Sequence, residues 1–544
     1  MSEPPKKPGA ADQVDVLVVG GGVTGIYQLY QAREAGFSVK LLEAGDGVGG
    51  TWYWNRYPEA RFDSESYTYG YLFSQELWEE WEWSERFAGQ PEIERYFNHV
   101  VDRFDLRRDI RFGAKVVSAV WDEPAGVWAV RTSDGTGFRA RFLVASTGIL
   151  SVPHIPDVPG RGDFRGEQHH TGLWPKTPVD FAGKRVALVG TGSSGVQLVP
   201  ALADEVASLT VYQRTPDWCT PLNNGPLLPE EQAQLKADYE RIRDTLNTSP
   251  SGFLHTINMR KAAEDSAQQR QEFYEKMWNG PGFTKLTENY IDMLTDPGVN
   301  AEWCEFMTRK IRGIVTDPET AGKLIPADHG YAGRRPPFGT GYYEAYNKPT
   351  VSLVSLKDTP IVRVTETGIE TAEGSQDFDI IIWATGYDFG TGALNRLGVR
   401  GREGLALEDH WADGPRTFLG VMAAGFPNFF FPGGPHGALG NNPRYSGDQV
   451  DFVVDALVHT RDHGHDVIEV TAAAEETWTD MMNDSDSLSS FLKSSYFYGA
   501  NIPGKPVRQL LNPTGRWTLQ QMIAEVAGNG YAAFSFAKTS EEAA

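Results

Sequence analysis

Cysteine is scarce in this 544-residue sequence, which contains only Cys219 and Cys304. Two cysteines so far apart in the chain predict neither a disulfide framework nor a paired-cysteine metal site. We therefore expect no metal ion in this protein. Free thiols are typical of a reducing compartment, so we expect a cytoplasmic location.

Long hydrophobic runs are also missing. No stretch of the sequence approaches the roughly eighteen apolar residues that a membrane span requires. Residues 1–13 lack the apolar core of a signal peptide as well. We expect no membrane span, and we expect residues 1–13 to form a disordered leader.

Positive charge is in short supply. The chain has 50 Lys and Arg against 72 Asp and Glu, which gives a formal net charge of −22. A surface this acidic repels a phosphate backbone, so nucleic acid is not expected as a partner. The apolar share of 40% is ordinary for a globular protein, and the length predicts two to four domains. Nothing in the composition indicates the oligomeric state.

A strand, a glycine turn and a helix are predicted near the N-terminus. Residues 14–19 are almost all apolar, which indicates a buried parallel strand, and a helix follows through Ala32. The turn between them fits the G-x-G-x-x-G pattern of dinucleotide sites. In that pattern Gly20 allows the tight turn, Gly22 lets the backbone approach a pyrophosphate, and Gly25 allows the helix to pack on the strand.

A carboxylate follows the next predicted strand. Residues 38–42 form that strand, and Glu43 at its end would accept hydrogen bonds from ribose hydroxyls. The aromatic segment 49–63 comes next and has two interpretations. It is either a plug beneath the first domain or a wall around a flat ring system, with Arg61 and Asp63 nearby.

A second glycine turn follows the strand predicted over residues 185–189. It fits the same pattern through Gly190, Gly192 and Gly195, and the strand after it ends at Arg214. An arginine in the position that Glu43 takes in the first unit favours a 2′-phosphate, and therefore NADP over NAD. The acidic unit suits FAD and the basic one NADPH. Oxygen is the remaining electron acceptor, because a flavin disulfide reductase needs a close cysteine pair.

These features predict an α/β fold with two Rossmann-like dinucleotide-binding domains and a helical insertion in the second. The segment after Pro226 is rich in Glu, Gln, Lys and Arg, which indicates helices. We expect the FAD domain over 14–149 and 387–544, the NADP domain over 150–225 and 333–386, and the insertion over 226–332.

The stretch between the two glycine turns is too aromatic for an ordinary linker. From the residues alone it could be a turn that plugs the domain junction. It also fits the fingerprint F-x-G-x-x-x-H-x-x-x-W-[PD] through Phe164, Gly166, His170, Trp174 and Pro175. With this fingerprint, the run 52–58 and the Arg-Arg-Pro loop 334–336, nearly the whole chain resembles the class I Baeyer–Villiger monooxygenases.

The resemblance implies site residues. Arg335 matches the catalytic arginine, and Asp63 matches the carboxylate that lies beside it and the flavin. The positions that match FAD contacts are Gly20, Gly22, Gly25, Glu43, Thr51, Trp52, Trp54, Asp63 and Tyr69. The positions that match NADP contacts are Thr191, Gly192, Ser193, Ser194, Gly195, Gln197, Arg214, Thr215, Arg334 and Arg335. Two positions depart from the family: Glu59 stands where glycine is usual, and Tyr496 stands where many members have tryptophan.

The resemblance also implies a reaction. NADPH reduces FAD, O2 adds at flavin C4a to give a peroxyflavin, and the peroxide attacks a small hydrophobic ketone to give an ester or lactone. A guanidinium at Arg335 would stabilise the negative charge on oxygen. Two alternatives are a flavin monooxygenase that oxidises sulfur or nitrogen, and a catalytically silent flavin protein that acts as a redox sensor. We expect His170 to affect the coupling of NADPH oxidation to product rather than to act as a base.

Overall fold

The computed structural model describes residues 12–437, 440–484 and 495–539. Most of the predicted leader, residues 1–11, lies outside the described residues. The first strand begins at Asp12 rather than at Val14, because residues 12 and 13 pair with Phe138 and Arg139 of a neighbouring strand. Within the described part of the chain, every helix is too short or too polar to cross a lipid bilayer.

The strands, in chain order, are β1 Asp12–Val19, β2 Val39–Leu42, β3 Ile110–Arg111, β4 Val116–Asp122, β5 Val127–Thr132, β6 Gly137–Ala145, β7 Glu167–His170, β8 Arg185–Val189, β9 Ser208–Gln213, β10 Thr220–Pro221, β11 Phe338–Gly339, β12 Val351–Ser355, β13 Ile361–Val364, β14 Gly368–Thr371, β15 Gly374–Asp377, β16 Ile380–Trp383, β17 Val399–Arg400, β18 Phe429–Phe430, β19 Val467–Val470 and β20 Phe534–Ala537.

The helices are α1 Val23–Glu34, α2 Thr51–Trp54, α3 Ser66–Tyr69, α4 Gln75–Glu80, α5 Gln90–Arg103, α6 Ser193–Leu202, α7 Pro229–Ala237, α8 Tyr239–Thr248, α9 Ala267–Asn279, α10 Thr284–Thr287, α11 Pro297–Ile314, α12 Pro318–Leu324, α13 Tyr342–Ala345, α14 Gly392–Asn395, α15 Leu407–His410, α16 Asn442–Asp462, α17 Ala472–Asp484 and α18 Gly515–Gly528. The segment 226–332 contains α7 to α12 and no strand.

Two sheets organise the molecule. The first has the order β17-β4-β5-β6-β1-β2-β3, with β18 also paired to β6, and β1, β2, β3 and β6 run parallel. The second has the order β12-β9-β8-β16-β7 and is parallel throughout. Each sheet carries one glycine turn between a strand and a helix, so the predicted α/β fold with two Rossmann-like units is confirmed.

The two sheets have separate cores. Val16, Val18 and Leu41 are fully buried in the first, and Val186 and Leu188 are fully buried in the second. Burying an aliphatic side chain of this size contributes about 1.5–3 kcal/mol. The first sheet draws strands from both ends of the chain and the second from its middle, so the chain crosses the junction between the units more than once.

Candidate functional site

The carboxyl ends of β1, β2 and β6 meet at one edge of the first sheet, where the glycine turn lies. A Cβ at position 25 would lie 1.8 Å from the carbonyl oxygen of Gly20, so only glycine allows α1 to pack this closely on the turn. The carboxyl ends of parallel strands are where nucleotides bind in open α/β sheets. The turn therefore presents the N-terminus of α1 to a pyrophosphate.

Glu43 lies beside this turn at the end of β2. Its side chain accepts hydrogen bonds from the backbone N–H of Gly21, at 2.6 Å, and of Gly45, at 2.7 Å. The residue is 5% exposed. Burial raises the pKa of Glu43, and the bonds from Gly45 and Gly21 offset part of that effect. The carboxylate is thus held in place before any ligand binds, and its contact with a ribose stays a prediction.

The aromatic segment 49–63 is partly buried in the first unit and partly open. Tyr53, Tyr57 and Phe62 are buried, whereas Trp52 and Tyr69 are half-buried. The Trp52 indole N–H donates to the Tyr69 hydroxyl at 3.2 Å, and the Phe62 ring lies 4.2 Å from the Tyr69 ring. One aromatic surface therefore stays partly open. Among the other predicted FAD positions in α2, Thr51 is exposed and Trp54 is half-buried.

The structure brings Arg335 and Asp63 together, although 272 positions separate them in the sequence. The Arg335 guanidinium donates to the Asp63 carboxylate, and its other terminal nitrogen donates to Ser193 Oγ at 2.7 Å. Burial is the largest single effect and lowers the pKa of Arg335, but the charge and hydrogen bond of Asp63, together with Tyr496 and Asp217, outweigh it and the pKa is raised. Arg335 therefore holds a permanent positive charge between a residue of the first unit and a residue of the second.

Helix α6 of the second unit also contacts the segment before Asp63. The Tyr57 hydroxyl donates to Gln197 Oε1 at 2.7 Å, and Gln197 Nε2 donates to the carbonyl oxygen of Arg61 at 3.3 Å. Gly192 is the N-cap of α6, and Ser194 and Gly195 lie in its first turn. The predicted NADP positions of α6 thus face the predicted catalytic pair across the junction.

Two arginines, Arg214 and Arg334, lie near each other at the end of β9. Arg214 follows β9 and is exposed, and Arg334 Nε has no hydrogen-bond partner among the described residues. Partial burial and the positive charge of Arg334 lower the pKa of Arg214. Two neighbouring cations fit an anionic group such as a phosphate. Thr215, the next residue, accepts a hydrogen bond from Thr191 Oγ1 at 3.4 Å.

The fingerprint 164–175 is not a simple connector. Its central residues form β7, which pairs with β16 at the edge of the second sheet and places His170 opposite Trp383. Parallel pairing satisfies backbone groups that a turn would leave to water, which is why a strand forms here. Phe164 packs in the core behind this strand, and a Cβ at Gly166 would lie 2.5 Å from its ring.

His170 and Trp174 sit where the two units meet. His170 is 4% exposed and accepts a hydrogen bond from the Gly172 N–H through Nδ1 at 2.9 Å. Burial lowers the pKa of His170 to about 4, so the imidazole is neutral at physiological pH. The backbone N–H of Trp174 donates to the Trp54 carbonyl oxygen at 3.3 Å. Pro175, the next residue, is half-buried. The fingerprint therefore attaches the second sheet to the aromatic segment of the first unit.

Both departures from the family pattern lie close to the site. Glu59 adopts a φ of +63°, which explains why glycine is usual at this position, and its side chain pairs with Arg61 at 2.5 Å. Burial raises the pKa of Tyr496 to about 12, and the nearby positive charge of Arg335 offsets part of this shift. Tyr496 therefore lies near Arg335 at the junction, although it belongs to the C-terminal part of the chain.

Sequence reasoning missed Phe283, which lies in the turn before α10. The Arg335 guanidinium carbon lies 5.4 Å from the centre of its ring. The only sequence signal was its place after a Gly-Pro-Gly turn, which is too common to indicate a site.

The residues fit two dinucleotides. The two glycine turns lead into helix N-termini that suit pyrophosphates, Glu43 suits a ribose, and the neighbouring Arg214 and Arg334 suit a 2′-phosphate. One buried oxygen of Asp63, Oδ1, has no hydrogen-bond partner within residues 12–437, 440–484 and 495–539, so it is available to a bound group. No cluster of His, Cys, Asp or Glu in those ranges could hold a metal ion.

Comparison with known proteins links this site to flavin enzymes. A family model described as pyridine nucleotide-disulphide oxidoreductase matches residues 17–249. The acetone monooxygenase (methyl acetate-forming) of Gordonia sp. (strain TY-5) is 40% identical over 96% of this chain and 99% of its own. A Baeyer–Villiger monooxygenase of Pseudooceanicola batsensis is 37% identical over 97% of each chain. The phenazine N-monooxygenase of Lysobacter antibioticus is 39% identical over 96% of each.

Solved structures match over nearly the whole chain. Cyclohexanone monooxygenase from Rhodococcus sp. Phi1, bound to NADP+, superposes with a TM-score of 0.95 at 38% identity over 97% of this chain and all of its own. The OTEMO complex with FAD and NADP gives a TM-score of 0.93 at 39% identity over 97% of this chain and all of its own.

Proposed function

The chain belongs to the Baeyer–Villiger monooxygenase family, and we propose that it is a class I member that converts ketones to esters or lactones with NADPH, O2 and FAD. The observation that carries this proposal is the Arg335–Asp63 pair at the junction of the two units. FAD fits the first unit and NADPH the second.

The bound cofactors supply hydride transfer and the activation of O2. The chain's own contribution is a fixed positive charge where negative charge accumulates on oxygen. Arg335 provides it, because Asp63 keeps the guanidinium charged and Ser193 fixes its orientation. Asp63 is well shielded, with a side chain that is 10% exposed, so its attraction for Arg335 is weakened little by water.

Arg214 and Arg334 select the nicotinamide cofactor in this proposal. Arg334 Nε has no hydrogen-bond partner in the described ranges, and the exposed Arg214 directly follows the strand after the second glycine turn. A 2′-phosphate satisfies both cations at once. Thr191, Gly192, Ser194, Gly195, Gln197 and Thr215 complete the NADP site, and Gly20, Gly22, Gly25, Glu43, Thr51, Trp52, Trp54 and Tyr69 form the FAD site.

The substrate that we propose is a small hydrophobic ketone. Two relatives are named as an acetone and a cyclohexanone monooxygenase. The aromatic residues around Arg335 suit an apolar molecule. We also propose the domain division given above, because the strands of each sheet come from those parts of the chain. Both cysteines are free thiols, which supports the proposed cytoplasmic location.

A heteroatom monooxygenase is the second candidate, because one relative is a phenazine N-monooxygenase. The test is to supply ketones of graded size, a thioether and a tertiary amine side by side. NADPH loss, O2 consumption and product identity are recorded for each.

Ester or lactone formation with NADPH consumption stimulated by ketone is the expected result. Oxidation of the thioether or amine with no ester from any ketone would favour the second candidate. If no substrate stimulates O2 consumption, both the Baeyer–Villiger and the heteroatom monooxygenase assignments are wrong.

A further inference from the structure

A buried chain of hydrogen bonds links the first unit to the helical insertion, two residues beyond Asp63. Glu65 Oε1 lies 2.8 Å from His255 Nε2, with side chains that are 5% and 7% exposed. His255 Nδ1 lies 2.8 Å from Thr287 Oγ1. A carboxylate only accepts hydrogen bonds, so the His255 Nε2–H donates to Glu65 and the other ring nitrogen pairs with the Thr287 hydroxyl.

The Glu65–His255–Thr287 hydrogen bonds fix the position of the insertion more than they stabilise the fold. Glu65 Oε2 is buried and has no hydrogen-bond partner in the described ranges. Taking a carboxylate out of water offsets most of what the pair with His255 gains, whereas breaking such a pair is costly. The arrangement therefore penalises any movement of the insertion away from the first unit.

Two routes lead from His255 to Phe283. The Thr287 hydroxyl oxygen lies 3.0 Å from the Phe283 carbonyl oxygen. The His255 ring also stacks on Phe253, with centroids 5.0 Å apart and planes 10° apart, and the Phe253 ring lies 5.4 Å from that of Phe283. Displacement of His255 would act on both the backbone and the side chain of Phe283.

The turn that contains Phe283 is packed against both members of the catalytic pair. The Arg335 guanidinium carbon lies 5.4 Å from the Phe283 ring centre, within the roughly 6 Å range of a cation–π contact. A Cβ at Gly282 would lie 2.9 Å from the Asp63 carbonyl oxygen. The turn is closely packed on the side that faces Asp63, so its position and that of Arg335 are coupled.

We propose that His255, held between Glu65 and Thr287, is a positioning residue that keeps the Phe283 turn against Arg335 and so directs activated oxygen to the ketone. The inference rests on the proposed role of Arg335 in oxygen transfer. When Arg335 is displaced, NADPH, a proton and O2 yield NADP+ and hydrogen peroxide, in place of ester and water.

The test compares two substitutions of His255. His255→Phe keeps a ring against Phe253 but removes both hydrogen bonds. A misplacement of about 1 Å can cost about a hundredfold in rate, so we expect the ratio of ester to hydrogen peroxide to fall about tenfold. FAD content and flavin reduction by NADPH should stay unchanged. His255→Gln can donate to Glu65 through its amide N–H and can pair with the Thr287 hydroxyl through the rest of its amide group, so it should restore most of the ratio.

The matched control is His410→Phe, which breaks another His–Glu pair, in which Glu475 is buried and His410 is half-buried. His410 Nε2 lies 2.9 Å from Glu475 Oε1 and joins α15 to α17. This variant should lose stability with no change in the ratio. If His255→Phe does not fold, the double variant His255→Phe with Glu65→Gln is used in its place, because it removes the unpaired buried charge.

The outcomes separate the inference from the proposed function. A ratio for His255→Phe equal to that of the wild type or of His410→Phe, in an enzyme that makes ester, overturns the inference alone. A wild-type protein that forms no ester from any ketone overturns the proposed function instead. A low ratio for His255→Phe that His255→Gln restores supports the positioning role.

Discussion

The two glycine turns have the same backbone construction but opposite recognition groups. A Cβ would lie 1.8 Å from the Gly20 carbonyl oxygen at position 25, and 2.2 Å from the Gly190 carbonyl oxygen at position 195. Beyond the next strand the units diverge. Glu43 is 5% exposed and accepts two backbone hydrogen bonds, whereas Arg214 is exposed and faces Arg334.

This difference matches two kinds of ligand. The first unit satisfies its recognition group internally, so its binding surface is already organised before a cofactor arrives, which favours tight retention. The second unit leaves two cations to be satisfied by the ligand, so its affinity depends on the charge of that ligand and on salt. A retained flavin and an exchanging nicotinamide cofactor need these respective properties.

The residue that bridges the units should show the largest effect. Arg335→Ala removes the charge that Asp63 and Ser193 hold at the junction. Loss of one such group costs about 3 kcal/mol, so ester formation should fall about a hundredfold or more. FAD content and flavin reduction by NADPH should survive, as single-turnover spectra would record.

Arg334→Ala is the neighbouring control, and it should weaken NADPH binding while ester still forms at saturating NADPH. Oxygenation by Arg335→Ala at the wild-type rate would remove this residue from the mechanism.

The roles of the two glycine turns can be tested independently by adding one methyl group to each. Gly25→Ala should cost the FAD site about 1–3 kcal/mol, roughly a fivefold to hundredfold loss of flavin affinity, because the Cβ overlaps the Gly20 carbonyl. Gly195→Ala should leave the flavin bound and weaken NADPH by a similar factor. Flavin absorbance per protein and the KM for NADPH distinguish the two variants.

If both variants lose the flavin equally, the two units are not independent. Gly313→Ala is a control for a glycine substitution without overlap, since nothing lies within 4 Å of its Cβ and its φ is not positive.

Cofactor choice should respond to Arg214. A hydrogen bond to a charged group is worth about 1.5–3 kcal/mol, so Arg214→Ala should raise the NADPH dissociation constant roughly tenfold to a hundredfold. NADH lacks the 2′-phosphate, and its affinity should barely change. Titrations with both cofactors at two salt concentrations would test this.

Arg214→Lys keeps the charge and should recover part of the preference for NADPH. Equal losses for the two cofactors would refute the 2′-phosphate role.

The link between the units at His170 should show a smaller effect. His170→Ala removes one neutral hydrogen bond, worth about 1 kcal/mol or about fivefold, and should lower the yield of product per NADPH without loss of FAD. His170→Asn can still accept from the Gly172 N–H and should retain coupling. Unchanged coupling in His170→Ala would return the fingerprint to a purely structural role.

Acid should also act on His170 through stability. Its pKa is about 4 in the folded chain and about 6.5 when unfolded, so the unfolded chain binds the proton first. Stability should therefore fall as pH drops from about 6.5 to about 4, and less so in His170→Asn.

The smallest effect is expected at Glu59, in the turn that leads to Asp63. A residue with a side chain costs about 1–2 kcal/mol in the left-handed region, and the exposed ion pair with Arg61 returns at most about 1 kcal/mol. Allowing for the extra freedom of glycine in the unfolded chain, Glu59→Gly should raise stability by up to about 1 kcal/mol. Thermal unfolding would measure it.

Glu59→Ala keeps the Cβ and loses the ion pair, so it should not gain stability. A rise in Tm for both substitutions would show that backbone strain is not the cause.

Features of local chemistry were predictable from the residues. The strand over residues 185–189 was predicted with the bounds it has in the structure, and the glycine turns and the residues after β2 and β9 were placed correctly. Buried parallel strands and phosphate turns are encoded in short contiguous runs, so their patterns are visible without a fold. A family resemblance was needed to pair Arg335 with Asp63.

The contacts among distant residues were decided by the tertiary structure. No local pattern relates Ser193 to Arg335, Tyr57 to Gln197, or Glu65 to His255. The fingerprint looked like a connector because a parallel edge strand depends on its partner, β16, more than two hundred positions away. Short-range patterns specified which groups each unit carries, and packing of the two sheets and the insertion against one another specified which of them meet.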